Sequence, residues 1–267
     1  MSEAPLEDDP LERARRAIDA VDDRLLALIA ERAALAAEIA AAKGKSEGSP
    51  MRPAREIAML RRLAAAAPDS LDKGLVLAIW RALIADNLRR QKPIEVFTGG
   101  GLDHVRLYDL ARKHFGAGVR MTRCEDARGT LTRTVETPAA AAVMPYPGRA
   151  GAGMWWPMLS ERRFRDAAIV AVLPMQGEGD PEACVITCGA PLEAAGGDTT
   201  LCLAQDPHFR LVRALNESRM QGREVARAAT AVLIQLDGYV GAEDPRLMTM
   251  AREGLDLLRV VGCYARL

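Results

Sequence analysis

The sequence predicts a multidomain chain: an all-α module of three helices, then α/β and α+β regions, the last with the ferredoxin-like order βαββαβ. Three observations carry that expectation. Residues 11–42 form one long helical pattern, rich in Ala, Leu, Arg and Glu and almost free of Gly and Pro. From about residue 94, short apolar runs punctuated by glycine replace it. From residue 199 to the end the pattern reads strand, helix, strand, strand, helix, strand. The expected segments are 1–92, 93–195 and 196–267.

In the first segment the apolar stripe runs Ala14, Ile18, Val21, Leu25, Leu28, Leu35 and Ile39, and the slot it skips is filled by Arg32. The Gly/Ser-rich stretch 44–50 breaks the helix, and Pro53 suits the first turn of a second helix over 54–66, which ends near Pro68. Asp69 or Ser70 is placed to cap a third helix reaching Gln91, with Leu75, Ile79, Leu83 and Leu88 turned inward. Beyond it, "IEVFTGGG" reads as strand then glycine, the run 99–101 being expected to serve as a linker rather than an anion cradle. "LDHVRLYDLARKHFG" is helical, and "VRMTRCED", "AAAAVMPYP", "DAAIVAVLPM" and "ACVITCG" are strand candidates. "GMWWPML", 153–159, is expected to be a packing cluster. The last segment is expected as strand 199–204, helix 208–220, strands 223–228 and 230–238, helix 244–257 and strand 258–264.

Lys+Arg and Asp+Glu balance at 36 each, so no overall basic field points to nucleic acid, and a cationic site must be local. The acidic start lacks the apolar core of a secretory signal, and no apolar run approaches a membrane span of roughly 20 residues, so a cytoplasmic protein without a membrane partner is expected. The five cysteines are odd in number; Cys184 and Cys188 have no second pair or clustered His nearby, so reduced, mostly buried thiols are expected, with no metal and no cofactor.

Helical geometry decides which charges can share a ligand. Arg32 and Lys43 are eleven positions apart, on nearly one face and roughly 16 Å along the axis, so two long side chains leaning together bracket a small anion. Asn87 and Gln91, at i and i+4, offer amides from a second wall. Arg15 lies seventeen positions before Arg32, roughly 25 Å away and about 100° round, so it reaches the same ligand only from a second subunit. The plainer alternative for Arg32 is an ion pair with Glu31, Glu38 or Glu56, and for Arg61 and Arg62 a solvated surface.

"LERARRAIDAVDDRLLALIAERAALAAEIAAAK", "RPAREIAMLRRL" and "LIADNLRRQ" together resemble the all-helical chorismate mutase family across about 11–91. That resemblance implies an intertwined homodimer of three-helix chains and the Claisen rearrangement of chorismate to prephenate. By it Arg32, and Arg15 from the partner chain, bind the two carboxylates, while Lys43 and Gln91 donate to the ether oxygen. Glu56 takes the substrate hydroxyl and Arg55 braces that end of the pocket. Arg52 stands where many members have aspartate and Asn87 where some have serine, both at substrate-binding positions.

"LIQLDGYVGAEDPRLMTMAREGLDLLRVVGCYARL" resembles the end of an ACT domain, with its closing V-x-G-x-Y strand, which implies an aromatic amino acid as effector. "DPHFRLV" stands at the inhibitor-loop turn, and "NESRM" at 216–220 falls inside a helix. Residues 93–195 resemble a prephenate dehydratase's first lobe, but with little room for a second lobe and "CVITCG" nearest to the missing Thr-Arg-Phe motif, they read as a non-catalytic remnant. The competing readings are a non-catalytic dimeric sensor of aromatic-pathway metabolites, a bifunctional mutase/dehydratase, and an isochorismate–pyruvate lyase.

Overall fold

A computed structural model describes residues 9–42, 49–101, 103–177 and 179–267. The chain divides into two compact units, residues 1–46 and 47–267. The first holds α1, Pro10–Ala42, a single helix of 33 residues. Its apolar stripe meets solvent: Ile18, Leu25, Leu28 and Leu35 are all at least half exposed.

The second unit begins with α2, Pro53–Ala66, and α3, Lys73–Gln91. The α3 cap is Asp72, whose carboxylate accepts from the Leu75 N–H, rather than Asp69 or Ser70. The expected inward face of α3 is also corrected. Val76, Arg81, Ile84, Ala85 and Leu88 are buried, whereas Leu75 and Ile79 face outward. Two apolar stripes one residue apart run down this helix, and Ile84 and Leu88 are the positions that meet Met51, Leu60, Leu107, Leu110 and Phe115 in a shared core.

Strands β1 (Glu95–Thr98), β2 (Arg120–Arg123) and β3 (Ala141–Pro145) pair in parallel, with β1 central. Helices α4 (His104–Phe115) and α5 (Ala127–Glu136) make the crossovers. Short 3₁₀ turns at Trp156–Ser160 and Arg162–Phe164 lead to β4 (Ala167–Leu173) and β5 (Ala183–Cys188), which pair antiparallel with each other; β5 pairs antiparallel with β3 too. The elements β6 (Asp198–Gln205), α6 (Leu211–Ser218), β7 (Gly222–Ala228), β8 (Ala231–Asp237), α7 (Pro245–Arg252) and β9 (Asp256–Ala265) complete the chain in the expected βαββαβ order. Among the described residues all nine strands form one sheet, ordered β2-β1-β3-β5-β4-β9-β6-β8-β7. The run β9-β6-β8-β7 is the ferredoxin-like order of its last four strands, and β4 meets β9 in parallel where Ile169 faces Gly262.

One face of the β1–β5 half carries α2, α3 and α4; the other carries α5 and the tryptophan pair. Trp155 and Trp156 are each 1% exposed, and the Trp155 indole donates to the Pro145 carbonyl at 3.0 Å, so "GMWWPML" is a packing cluster. The last two helices are shorter than their patterns. Phe209 and Arg219 adopt positive φ at either end of α6, and Gly254, at φ +102°, follows close behind α7. Glycines 99–101 are not a linker. A Cβ on Gly99 would collide with the Thr130 hydroxyl and lie 3.0 Å from the Cys124 carbonyl, and one on Gly101 would strike the Pro145 ring, so the run is a tight loop beneath α5 and β3.

Candidate functional site

The sequence-derived site residues fall in both units. On α1, Arg15 is exposed and ion-paired to Glu12 at 2.5 Å, one turn away, while Arg32 is half-buried. Lys43 lies outside the described residues. At the start of α2, Arg52 donates through Nη1 to the Ser49 and Met51 carbonyls at 3.0 and 2.9 Å, so this guanidinium finishes the helix entrance. Arg55 is exposed, and Asn87 and Gln91 are half-buried on α3.

Among the described members of this set, Glu56 is the one that is buried. Its Oε2 accepts from Arg81 Nη1 at 2.7 Å, and Oε1 is buried with no partner among the described residues. Arg81 also donates through Nε to the His114 carbonyl at 2.9 Å, which ties α3 to the C-terminal turn of α4. Among the described residues, its Nη2 and both ring nitrogens of His114 are buried without partners. Burial first, and the Arg81 guanidinium second, hold His114 well below the usual imidazole range, so the ring is neutral near pH 7. Neither Arg81 nor His114 was among the expected site residues. The signal for Arg81 was available: a guanidinium one turn after Leu77 and three positions before Ile84, the same misplaced cation that marks Arg32.

Arg61, expected to be solvated, instead donates to the carbonyls of Ala195, Gly196 and Arg266, the last at 2.6 Å. The Asp198 carboxylate accepts from the N–H groups of Ala195 and Gly196, so the segment before β6 is held from both sides. "NESRM" straddles the end of α6, where Arg219 is the left-handed residue that closes the helix.

All five cysteines are free and four are buried; burial pushes the half-exposed Cys188 up to about 11, which makes it a poor nucleophile near neutral pH. Among the described residues no three His, Cys, Asp or Glu side chains converge as a metal site needs, and no helix is long and apolar enough to cross a membrane.

Residues 14–92, spanning most of α1 with α2 and α3, match the family model of chorismate mutase type II. No curated protein matches the chain. Among solved structures, a prephenate dehydratase from Streptococcus mutans is similar at 12% identity and a TM-score of 0.44, covering 64% of this chain and 96% of that one. A prephenate dehydratase from Arthrobacter aurescens in complex with L-Phe is similar at 14% identity and 0.42, covering 65% and 90%. A quorum-quenching acylase, GqqA, is similar at 14% and 0.46, covering 66% and 96%.

Proposed function

From the chorismate mutase type II region at residues 14–92, we propose that the protein is a chorismate mutase, rearranging chorismate to prephenate in aromatic amino-acid biosynthesis. The observation that carries the proposal is that match, laid over a helix that sets Arg32 within its apolar stripe. The substrate is a dianion and the transition state gathers negative charge on the breaking ether oxygen. Catalysis is therefore confinement of the reactive conformer plus donors aimed at that oxygen. Arg32, and Arg15 of a second chain, hold the carboxylates; Lys43 and Gln91 donate to the ether oxygen. Glu56, held by Arg81 through Oε2, keeps Oε1 for the substrate hydroxyl, with Arg52, Arg55 and Asn87 completing the wall.

The partner is a second copy of this chain. The exposed stripes of α1 and of Leu75 and Ile79 on α3 are surfaces that a homodimer would cover. Domain limits of 1–92, 93–195 and 196–267 go with this reading, the middle region non-catalytic and the last an ACT-like regulator binding an aromatic amino acid. A cytoplasmic location follows from the biosynthetic role.

A non-catalytic sensor is the second reading, favoured by the engagement of Glu56 with Arg81. One assay separates them: chorismate and prephenate consumption by the purified chain, with and without each aromatic amino acid. Chorismate loss that falls by orders of magnitude in Arg32→Ala and Lys43→Ala, with prephenate persisting, supports the mutase. Binding without turnover supports the sensor. Prephenate loss would make the chain bifunctional.

A further inference from the structure

In an open α/β sheet a ligand crevice forms outside the carboxyl ends of two neighbouring strands whose helical connections lie on opposite faces. β1 and β3 are such a pair, since β1 leads into α4 on one face and β3 is entered from α5 on the other. A cavity of about 170 Å³ lies at that place, between the start of α4 and the segment after β3, wholly within the second unit. Pockets for drug-sized ligands begin at about 300 Å³, so this one admits only a small molecule. Its floor is apolar, built from Leu107, Leu110 and Pro145, and its charged groups are Arg106, Arg149, Asp103 and Glu182, two of each sign.

Arg106 and Glu182 are joined by hydrogen bonds of 2.8 and 2.6 Å, which hold the Glu182 carboxyl below the usual carboxylate range. Asp103 caps α4 through Oδ1, which accepts from the Arg106 N–H at 2.9 Å, and among the described residues its Oδ2 accepts no hydrogen bond. The Arg149 guanidinium is exposed and makes no hydrogen bond or ion pair among the described residues. The loop that carries it is fixed all the same. The Arg149 and Ala152 N–H groups close successive turns on the Tyr146 and Arg149 carbonyls, and Gly148 and Gly151 take positive φ. A Cβ on Gly148 would lie 2.5 Å from the Val225 carbonyl oxygen, so the loop is seated against β7 with no room to spare. A wall of zero net charge, with one uncommitted cation and one uncommitted carboxylate oxygen above an apolar floor, matches a small ligand that is itself neutral overall and carries separated charges.

We propose that this cavity binds a small aliphatic α-amino acid, its carboxylate on Arg149, its ammonium on Asp103 Oδ2 beside Glu182, and its side chain on Leu107, Leu110 and Pro145. The site shares no residue with the mutase constellation or with the βαββαβ segment, so it does not depend on the reading of either.

Titration calorimetry of the full chain with L-valine, 3-methylbutanoate and 2-methylpropan-1-amine tests it, because the second lacks the ammonium and the third the carboxylate. Valine is expected to bind at least tenfold more tightly than either. Arg149→Ala, which removes no side-chain hydrogen bond of the fold, is expected to reduce valine to the affinity of the amine with an unchanged unfolding temperature. Asp103→Asn, which keeps a helix cap and loses the charge, is expected to reduce it to the affinity of 3-methylbutanoate. No measurable binding of valine, equal binding of valine and 3-methylbutanoate, or full binding of valine by Arg149→Ala would overturn the proposal, the last by placing the amino acid elsewhere in the chain.

Discussion

Arg81 of α3 and Glu56 of α2 form an ion pair of 2.7 Å, with side chains 9% and 10% exposed. Removing one member leaves the other charged and dry, which costs about 3–5 kcal/mol, whereas replacing both by apolar groups of similar size is nearly neutral. Arg81→Met is therefore expected to lose that much stability, and Glu56→Met/Arg81→Met to regain most of it. Urea unfolding of the three proteins measures the coupling, and additive losses would show that the two charges do not stabilise each other.

Gly262 meets Ile169 at the one register pair through which β9 joins β4. A Cβ there would lie 2.6 Å from the Ile169 carbonyl oxygen and 2.7 Å from its Cβ, so the strands close only with glycine at this point. This gives the glycine of the closing V-x-G-x-Y pattern a physical reason, and Tyr264 two residues on supplies another, its hydroxyl 3.0 Å from that of Tyr146 across the same seam. Gly262→Ala is expected to cost about 1–3 kcal/mol through overpacking. Thermal unfolding within half a degree of wild type would mean the seam has slack.

His114 makes stability depend on pH in one direction. Its folded pKa is depressed by burial and by Arg81, so below the ordinary value near 6.5 the unfolded chain takes up a proton that the folded chain refuses. The contribution is complete above that value and shrinks as pH falls through the window beneath it, by up to about 1.4 kcal/mol per pH unit. Unfolding free energies of wild type and His114→Phe between pH 7 and 5.5 should diverge in slope, wild type falling faster. Parallel lines would place the ring in contact with water.

Element types and order were legible because periodicity and glycine punctuation are local: the long α1, the tryptophan cluster and the βαββαβ run all follow from spacing. What was not legible depends on partners far away in the chain. α3 carries two apolar stripes, and only the packing of α2 and α4 selects the one with Ile84. The glycine run 99–101 looked like slack chain because Thr130, Cys124 and Pro145, which crowd it, come from later in the sequence. At the site, Arg32 stands out as a cation in an apolar stripe, whereas Arg81 lies beside the Leu75–Ile79 stripe and reads as a buried cation only once the other face of α3 is known to pack inward.

Arg61 shows the same distance effect and leads to the last expectation. Its guanidinium spans 134 positions to the Ala195 carbonyl and 205 to that of Arg266, linking α2 to the segment entering β6 and to the residue after β9. Hydrogen bonds from a charged donor contribute about 1.5–3 kcal/mol each when fully sheltered, and this side chain is only half sheltered, so Arg61→Ala is expected to lose about 2–3 kcal/mol in all. Asp198 still holds the Ala195 and Gly196 N–H groups, so the segment should loosen rather than detach. Amide exchange reports this directly: faster exchange at Ala195, Gly196 and Leu267, whose N–H groups are bonded, with unchanged protection in β8 is the expected pattern. Uniform acceleration across the sheet would instead mean that Arg61 acts on global stability alone, and unchanged exchange that the three carbonyls are satisfied by water when the guanidinium is gone.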